Sequence, residues 1–128
     1  MKNIFCSFFL LYNYKMTTIS YEDFNTLDIR VGTILKVEEV PKSRNLLKMQ
    51  VDIGEENPRQ IVSGIKNWYS IEDLKGSKII VLANLKPRKI MGIESKGMLL
   101  AADVDNTAVL LKIDENYVEK VNPGSKVG

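Results

Sequence analysis

The stretch VLANLKPRKIMGIESKGMLLAA, residues Val81 to Ala102, is the most informative part of this chain. Its apolar start has the composition of a strand, and Pro87 ends that strand because proline lacks the backbone N–H that a sheet ladder needs. A basic loop punctuated by Gly92 and Gly97 follows, and a second apolar run extends from Met98 to Ala102. Two apolar runs joined by such a loop predict a β-hairpin with a positively charged tip.

Strand patterns before and after this hairpin predict an all-β fold. Further strands are indicated by β-branched and alternating apolar residues at Asp28 to Val40, Leu47 to Ile53, Arg59 to Ser63 and Thr107 to Ile113. Between the third and fourth strands, Ser70 and Asp73 form a capping-box variant, so a short helix begins there and ends at Gly76. About six strands with one helix in that place favour an OB-fold, a five-stranded barrel with extra terminal elements, over a sandwich or another small barrel.

The composition argues against an enzyme. The 128 residues suffice for one domain with an ordinary core. There is no histidine, which removes the commonest metal ligand and general base, and the single cysteine excludes an intramolecular disulfide. No phosphate-cradling glycine loop is present either. We therefore predict a binding protein that uses no cofactor and no metal.

The charge is unevenly distributed along the chain. The net charge is only +2, but residues 59 to 96 contain eight Lys or Arg and three Asp or Glu, a net charge of +5. The remainder contains ten basic and thirteen acidic residues, a net charge of −3. A basic middle segment against an acidic background predicts one positive face, and a mixed solvated surface is the simpler alternative.

Residues 1 to 15 differ from the rest of the chain. The run from Ile4 to Tyr12 is apolar apart from Ser7, but nine residues are too few to span a bilayer, and no small-residue cleavage site follows. We predict that translation begins at Met16 and that residues 1 to 15 are a doubtful leader outside the fold. The folded domain would then occupy residues 16 to 128. A short signal or surface anchor is the alternative.

Three motifs, in the same order, resemble the tRNA-binding domain family. They are DFNTLDIRVGTI at Asp23 to Ile34, VDIG and IVSGI at 51 to 54 and 61 to 65, and NLKPRKIMGIESKGMLLAA at 84 to 102. The family includes the C-terminal domain of many methionyl-tRNA synthetases, stand-alone dimeric tRNA-binding proteins, and endothelial-monocyte-activating-polypeptide-like synthetase cofactors. The resemblance runs from about Ser20 to Gly128. It implies an OB-fold that binds tRNA by its shape, chiefly at the outer elbow.

The resemblance also implies which residues bind RNA. Lys86, Arg88 and Lys89 are predicted to contact phosphates, because Arg offers a planar fork and Lys a point charge; a merely solvated hairpin tip is the alternative. Ser95 would donate to a phosphate or ribose oxygen. Met98 would contact a base or sugar, and core packing is its alternative.

Four further residues complete the predicted interface. Lys66 and Lys96 would extend the positive face. Asn84 and Ser63 are short polar residues beside apolar strands, and they would either contact RNA or satisfy local backbone groups.

The sequence therefore predicts a cytoplasmic, non-catalytic tRNA-binding protein. It would act alone or as a separate tRNA-binding subunit of methionyl-tRNA synthetase, with tRNA and that synthetase as partners and without membrane association. A peptide-binding, secretion-type chaperone of the same fold is the alternative. Stand-alone members of the family are dimers, so a homodimer is also expected, with Ser20 to Leu27 and Thr107 to Val127 supplying its interface.

Overall fold

The computed structural model describes residues 17 to 128, so the predicted leader at residues 1 to 15 lies outside the described residues. Within residues 17 to 128, no helix is long and apolar enough to cross a membrane. The described elements are α1 (Tyr21–Phe24), β1 (Ile29–Glu39), β2 (Leu47–Asp52), β3 (Arg59–Ser63), α2 (Ile71–Leu74), β4 (Lys78–Leu82), β5 (Arg88–Ile90), β6 (Ile93–Ser95), β7 (Met98–Leu99), β8 (Ala101–Val104), β9 (Thr107–Leu110) and a 3-10 helix (Val118–Lys120).

Five strands form one antiparallel sheet in the order β3-β2-β1-β4-β7, which curls into a nearly closed barrel. Two short hairpins, β5–β6 and β8–β9, are added to it. The helix α2 lies between β3 and β4, and Ser70 Oγ accepts a hydrogen bond from Asp73 N at 3.1 Å, so the predicted cap is confirmed. This arrangement confirms the predicted OB-like barrel.

The first strand is long enough to pair with two neighbours in succession. Residues 29 to 33 pair with β4, and residues 33 to 39 pair with β2. The register shifts between Ile34 and Lys36, and a bulge of this kind bends a strand. Near the bend, a Cβ on Gly32 would lie 2.7 Å from Val51 Cγ1, so only glycine fits without movement of the core.

The barrel interior is apolar. Its fully buried residues come from β1 to β4, their flanking residues and α2: Ile34, Leu47, Met49, Val51, Ile53, Ile61, Ile65, Leu74, Ile79 and Val81. Alternate residues of β2 supply much of this core, as expected for a strand with one face inward.

The segment between β4 and β7 differs from its prediction. These two strands pair as predicted, with Val81 opposite Leu99. The chain between them is not an open basic loop, because it contains the second hairpin β5–β6, closed by Met91 and Gly92 at φ 51° and 78°. Two consecutive positive φ values are typical of a type I′ turn, which matches the twist of paired strands. The predicted charged tip is therefore a hydrogen-bonded two-stranded element.

The last predicted strand, Thr107 to Ile113, is shorter in the structure. β9 ends at Leu110 and pairs with β8 rather than with the barrel sheet. Asp105 and Asn106 form the two-residue turn between them, at φ 50° and 66°. The prediction of about six strands was therefore too low, because the two added hairpins are built from strands of only three or four residues.

The C-terminal tail returns to the barrel. Gly124 N donates to Val31 O at 2.8 Å, and Val127 N donates to Ile29 O at 2.9 Å, so the tail covers the part of β1 that β2 does not reach. Gly54 and Gly124 pack backbone to backbone, since a Cβ on Gly54 would lie 2.8 Å from Gly124 Cα. The C-terminal tail therefore packs against the barrel of its own chain.

Candidate nucleic-acid interface

A groove of about 250 Å³ lies between the end of β3 and the basic hairpin, by which we mean residues 84 to 97 with strands β5 and β6. Five of the predicted RNA-binding residues line it together with apolar side chains: Ser63, Lys86, Arg88, Ser95 and Met98, with Leu46, Val62, Leu85, Ile90 and Leu99 among the latter. Met98 is 43% exposed and lies at the groove surface rather than in the core. The groove therefore combines a cationic edge with an apolar lining.

Lys86, Arg88 and Lys89 are all exposed on the basic hairpin. Because side chains alternate along a strand, Arg88 lies toward the groove and Lys89 on the opposite face of β5, across from Glu94. In the part of the chain that the structure describes, none of these three cations has a carboxylate oxygen within 4 Å. Their charge is therefore available to an anionic ligand.

Lys66 and Lys96 lie away from the groove and already have anionic neighbours. Lys66 Nζ is 3.2 Å from Glu39 Oε1, and Lys96 Nζ is 3.6 Å from Glu94 Oε1. Solvent-exposed pairs of this kind contribute at most about 1 kcal/mol, so a phosphate can replace the carboxylate. Lys96 lines a second, more polar cleft of about 510 Å³, which shares Leu85 with the groove.

Ser95 and Asn84 have their polar groups engaged within the protein. Ser95 is 4% exposed, and its Oγ accepts from Val62 N at 3.0 Å and donates to Gly97 O at 3.3 Å. Asn84 Oδ1 accepts from Asp28 N at 2.8 Å, and its Nδ2 donates to Thr26 O at 2.7 Å. The alternative that Asn84 satisfies local backbone groups is thus the one the geometry shows.

Contact of these two residues with RNA stays a prediction, and Ser95 would have to exchange an internal hydrogen bond to make it. Ser63 is half-buried at the groove and keeps both alternatives open.

Arg59 is a residue that the sequence-based set of binding residues missed. Its Nη1 donates to the carbonyl oxygens of Ala83 and of Lys96, the latter at 3.2 Å. Its Nε and Nη2 donate to the two carboxylate oxygens of Glu55 at 3.1 and 2.7 Å. Nearby, Gln60 Nε2 donates to Glu94 O and Lys96 N donates to Gln60 O, both at 2.8 Å. The start of β3 is therefore fastened to both ends of the basic hairpin.

Two carboxylates beside these arginines have pKa values below their ordinary range. The hydrogen bond from Arg30 lowers the pKa of Asp28, with Arg59 and Lys126 adding smaller attractions. The hydrogen bond from Arg59 lowers the pKa of Glu55 in the same way, and burial of each carboxylate opposes the shift only in part. Both carboxylates are therefore ionised at neutral pH, and they neutralise the two arginines beside the positive hairpin.

Comparison with known families agrees with this geometry. Residues 29 to 125 match the family described as a putative tRNA binding domain. The chain belongs to this family. Relatives include the methionine–tRNA ligase of Methanosarcina acetivorans, 52% identical over 109 residues, and that of Archaeoglobus fulgidus, 54% identical over 109 residues; each match covers 85% of this chain. The chain spans only 15% and 16% of the length of these two ligases.

Two solved structures with the same fold align with this chain over their entire length. A MetRS-related protein from Pyrococcus horikoshii has 34% identity and a TM-score of 0.78, with 88% of this chain and all of that chain aligned. The chaperone CsaA from Bacillus anthracis has 29% identity and a TM-score of 0.74, again with 88% and 100% aligned. The predicted family is thus confirmed. The two similar structures are named for different roles, one as a MetRS-related protein and the other as a chaperone.

Proposed function

We propose that this protein is a non-catalytic tRNA-binding protein of the cytoplasm, which recognises tRNA by its shape through phosphate contacts. It would serve methionyl-tRNA synthetase as a separate subunit. The observation that carries the proposal is the set of three exposed cations on the basic hairpin, Lys86, Arg88 and Lys89. The first two line the groove that has Met98 at its surface. Structured RNA is recognised mainly through phosphates, 2′-hydroxyls and shape. OB-folds bind nucleic acid on a strand face and on the nearby connections between strands.

A synthetase partner is supported by the relatives, since the same domain forms about 15% of two methionine–tRNA ligases. A protein that presents the domain separately would supply tRNA affinity to a synthetase that lacks it. Aminoacylation by such a synthetase, measured with and without this protein, tests the partnership. A fall in the KM for tRNA on addition of the protein is the expected result.

A peptide-binding chaperone is the second candidate, and the apolar lining of the groove favours it. Leu46, Val62, Leu85, Ile90 and Leu99 are suited to apolar peptide side chains, and a similar structure is that of CsaA, a chaperone. Fluorescence anisotropy with labelled tRNA and with a panel of denatured peptides distinguishes the two. The leading proposal expects saturable tRNA binding that the peptides do not displace, and displacement by peptides in the absence of tRNA affinity would favour the chaperone.

We further propose that the protein is a homodimer. One face of the β8–β9 hairpin is apolar and exposed, with Val104 53%, Val109 43% and Leu111 44% exposed. An isologous partner patch would cover this face, and two basic hairpins joined in one assembly would gain from effective concentration on one tRNA. The tail at residues 124 to 127 packs on its own barrel, so the proposed interface rests on β8–β9 and on α1 rather than on the whole region from Thr107 to Val127.

A further inference from the structure

We propose that the Glu55–Arg59 ion pair is a positioning device for the basic hairpin, and that it lowers the cost of tRNA binding by holding the hairpin in its binding geometry. This inference rests on the proposed tRNA-binding function. Arg59 meets the hairpin region at backbone carbonyl oxygens, one of them that of Lys96, rather than at cationic side chains. The ion pair acts through the backbone at the two ends of the hairpin.

The backbone at both ends of the basic hairpin accepts hydrogen bonds from one guanidinium group, that of Arg59. Ala83 directly precedes the basic hairpin and Lys96 lies near its end, and the carbonyl oxygens of both accept from Arg59 Nη1. Lys86, Arg88 and Lys89 lie on the segment between these two anchors. A change in the Arg59 side chain therefore alters the entry and the exit of that segment together.

Glu55 fixes the orientation of this guanidinium. Its two oxygens accept from Nε and Nη2, so four of the five N–H donors of Arg59 are engaged in the structure. The bidentate arrangement restricts the planar fork to one orientation, which a lysine ammonium could not reproduce. The Arg59 side chain is 22% exposed, and its charge is already matched by Glu55. Arg59 is therefore arranged to hold backbone rather than to contact a phosphate.

A second set of hydrogen bonds holds the N-terminal end of the basic hairpin. Ala83 N donates to Asp28 O at 2.7 Å, and the Asn84 amide bridges Asp28 N and Thr26 O. The hairpin is thus held by the segment that precedes β1 on one side and by β3 on the other. Ordering a flexible loop on binding reduces affinity, so a loop that is already held binds more tightly.

The test compares two substitutions that change the net charge equally. Glu55→Ala removes the partner of Arg59, and Glu38→Ala removes the partner of Lys36 in an exposed ion pair on β1, at 3.3 Å. Loss of a negative charge by itself strengthens attraction to tRNA. We therefore expect Glu38→Ala to bind tRNA as tightly as the wild type or slightly more tightly, whereas Glu55→Ala binds about five- to tenfold more weakly.

The salt dependence separates positioning from direct contact. Because the number of neutralised phosphates stays the same, the slope of log K against log salt should be unchanged in Glu55→Ala. Arg59→Lys retains the charge but not the fork, and it should weaken binding similarly. Hydrogen exchange of the amides of residues 88 to 95, measured without RNA, should be faster in both variants, while β1 and β2 amides stay protected.

Equal or tighter tRNA binding by Glu55→Ala, with unchanged exchange in residues 88 to 95, would overturn the proposal. A wild-type protein that binds no tRNA would overturn the proposed function. The exchange measurement would then still decide whether the ion pair holds the hairpin.

Discussion

Ser95 Oγ accepts a hydrogen bond from Val62 N at 3.0 Å, and this bond joins the end of the basic hairpin to β3, beside the bond from Lys96 N to Gln60 O. Both groups are buried. Ser95→Ala leaves the amide of Val62 without its partner, so we expect a loss of about 1 to 3 kcal/mol in the free energy of unfolding. Urea denaturation measures this loss. Ser63→Ala, at a half-buried position in the same region, is the matched control and should change stability much less.

Gly32 lies on β1 at a point where the strand backbone packs tightly against core side chains. A Cβ there would lie 2.7 Å from Val51 Cγ1 and 3.2 Å from both Ile53 Cγ2 and Val81 Cγ2. We expect Gly32→Ala to destabilise the protein by about 1 to 3 kcal/mol through overpacking. Gly64→Ala is the control, because its Cβ would approach no atom closer than 3.4 Å, and a stability change near zero is expected there. Equal effects of the two substitutions in thermal unfolding would contradict this explanation.

We expect acid to lower the free energy of unfolding by protonating two carboxylates, those of Asp28 and Glu55. The pKa values of Asp28 and Glu55 are lowered in the folded state by hydrogen bonds from Arg30 and Arg59. The unfolded chain then binds protons at a higher pH than the folded chain does, so the stabilisation is complete at neutral pH and is lost as the pH falls below about 4.5. Urea midpoints at pH 7 and pH 4 measure this change.

The double variant Asp28→Asn with Glu55→Ala lacks both groups. It should be less stable at pH 7, and its midpoint should vary less between the two pH values. An undiminished pH dependence would show that other groups control acid unfolding.

Arg88 and Lys89 provide the clearest test of the phosphate contacts. Replacing both with Ala should weaken the binding of all tRNAs alike and reduce the slope of log K against log salt by about 1.4 to 1.8, because about 0.7 to 0.9 is lost per phosphate contact. Lys36→Ala with Lys75→Ala removes the same charge from exposed positions elsewhere and should leave the slope nearly unchanged. A loss confined to one tRNA would indicate base readout instead.

If the protein is a homodimer as proposed, its association should depend on the exposed side chain of Val109. Light scattering at micromolar concentration should give about twice the monomer mass of 14.5 kDa. Val109→Asp places a charge on the exposed β8–β9 face, so it should give a folded monomer whose melting temperature is lower than that of the wild-type dimer, because association stabilises the folded state. A wild-type monomer that binds tRNA at full strength would remove both the dimer and its proposed role.

The parts of the fold that depend on local pattern could be predicted from the sequence. β1 is rich in β-branched residues, β2 alternates apolar and polar residues, and α2 has its capping serine, so their predicted bounds agree closely with the structure. The β5–β6 hairpin was missed because its strands have three residues each and its turn is Met91–Gly92. Alternation around a two-residue turn ending in Gly was the signal that could have found it.

The supporting contacts of the site could not be predicted in the same way. Arg59 meets the carbonyl oxygens of residues 24 and 37 positions further along the chain, and Asn84 meets groups 56 and 58 positions earlier. No local pattern encodes such pairings, since they depend on the closure of the barrel. The exposed cations were found because charge density is visible in the sequence, whereas the residues that hold their segment become visible only in the fold.

The proposed function requires that this protein bind tRNA through the charge of the basic hairpin. The most direct measurement is a titration of labelled tRNA with the wild-type protein by fluorescence anisotropy, repeated at several salt concentrations. We expect saturable binding whose log K falls linearly with log salt, with a slope that indicates at least two or three phosphate contacts, about −1.4 to −2.7. Absence of binding at low salt, or an affinity that does not change with salt, would contradict electrostatic binding of tRNA by the basic hairpin.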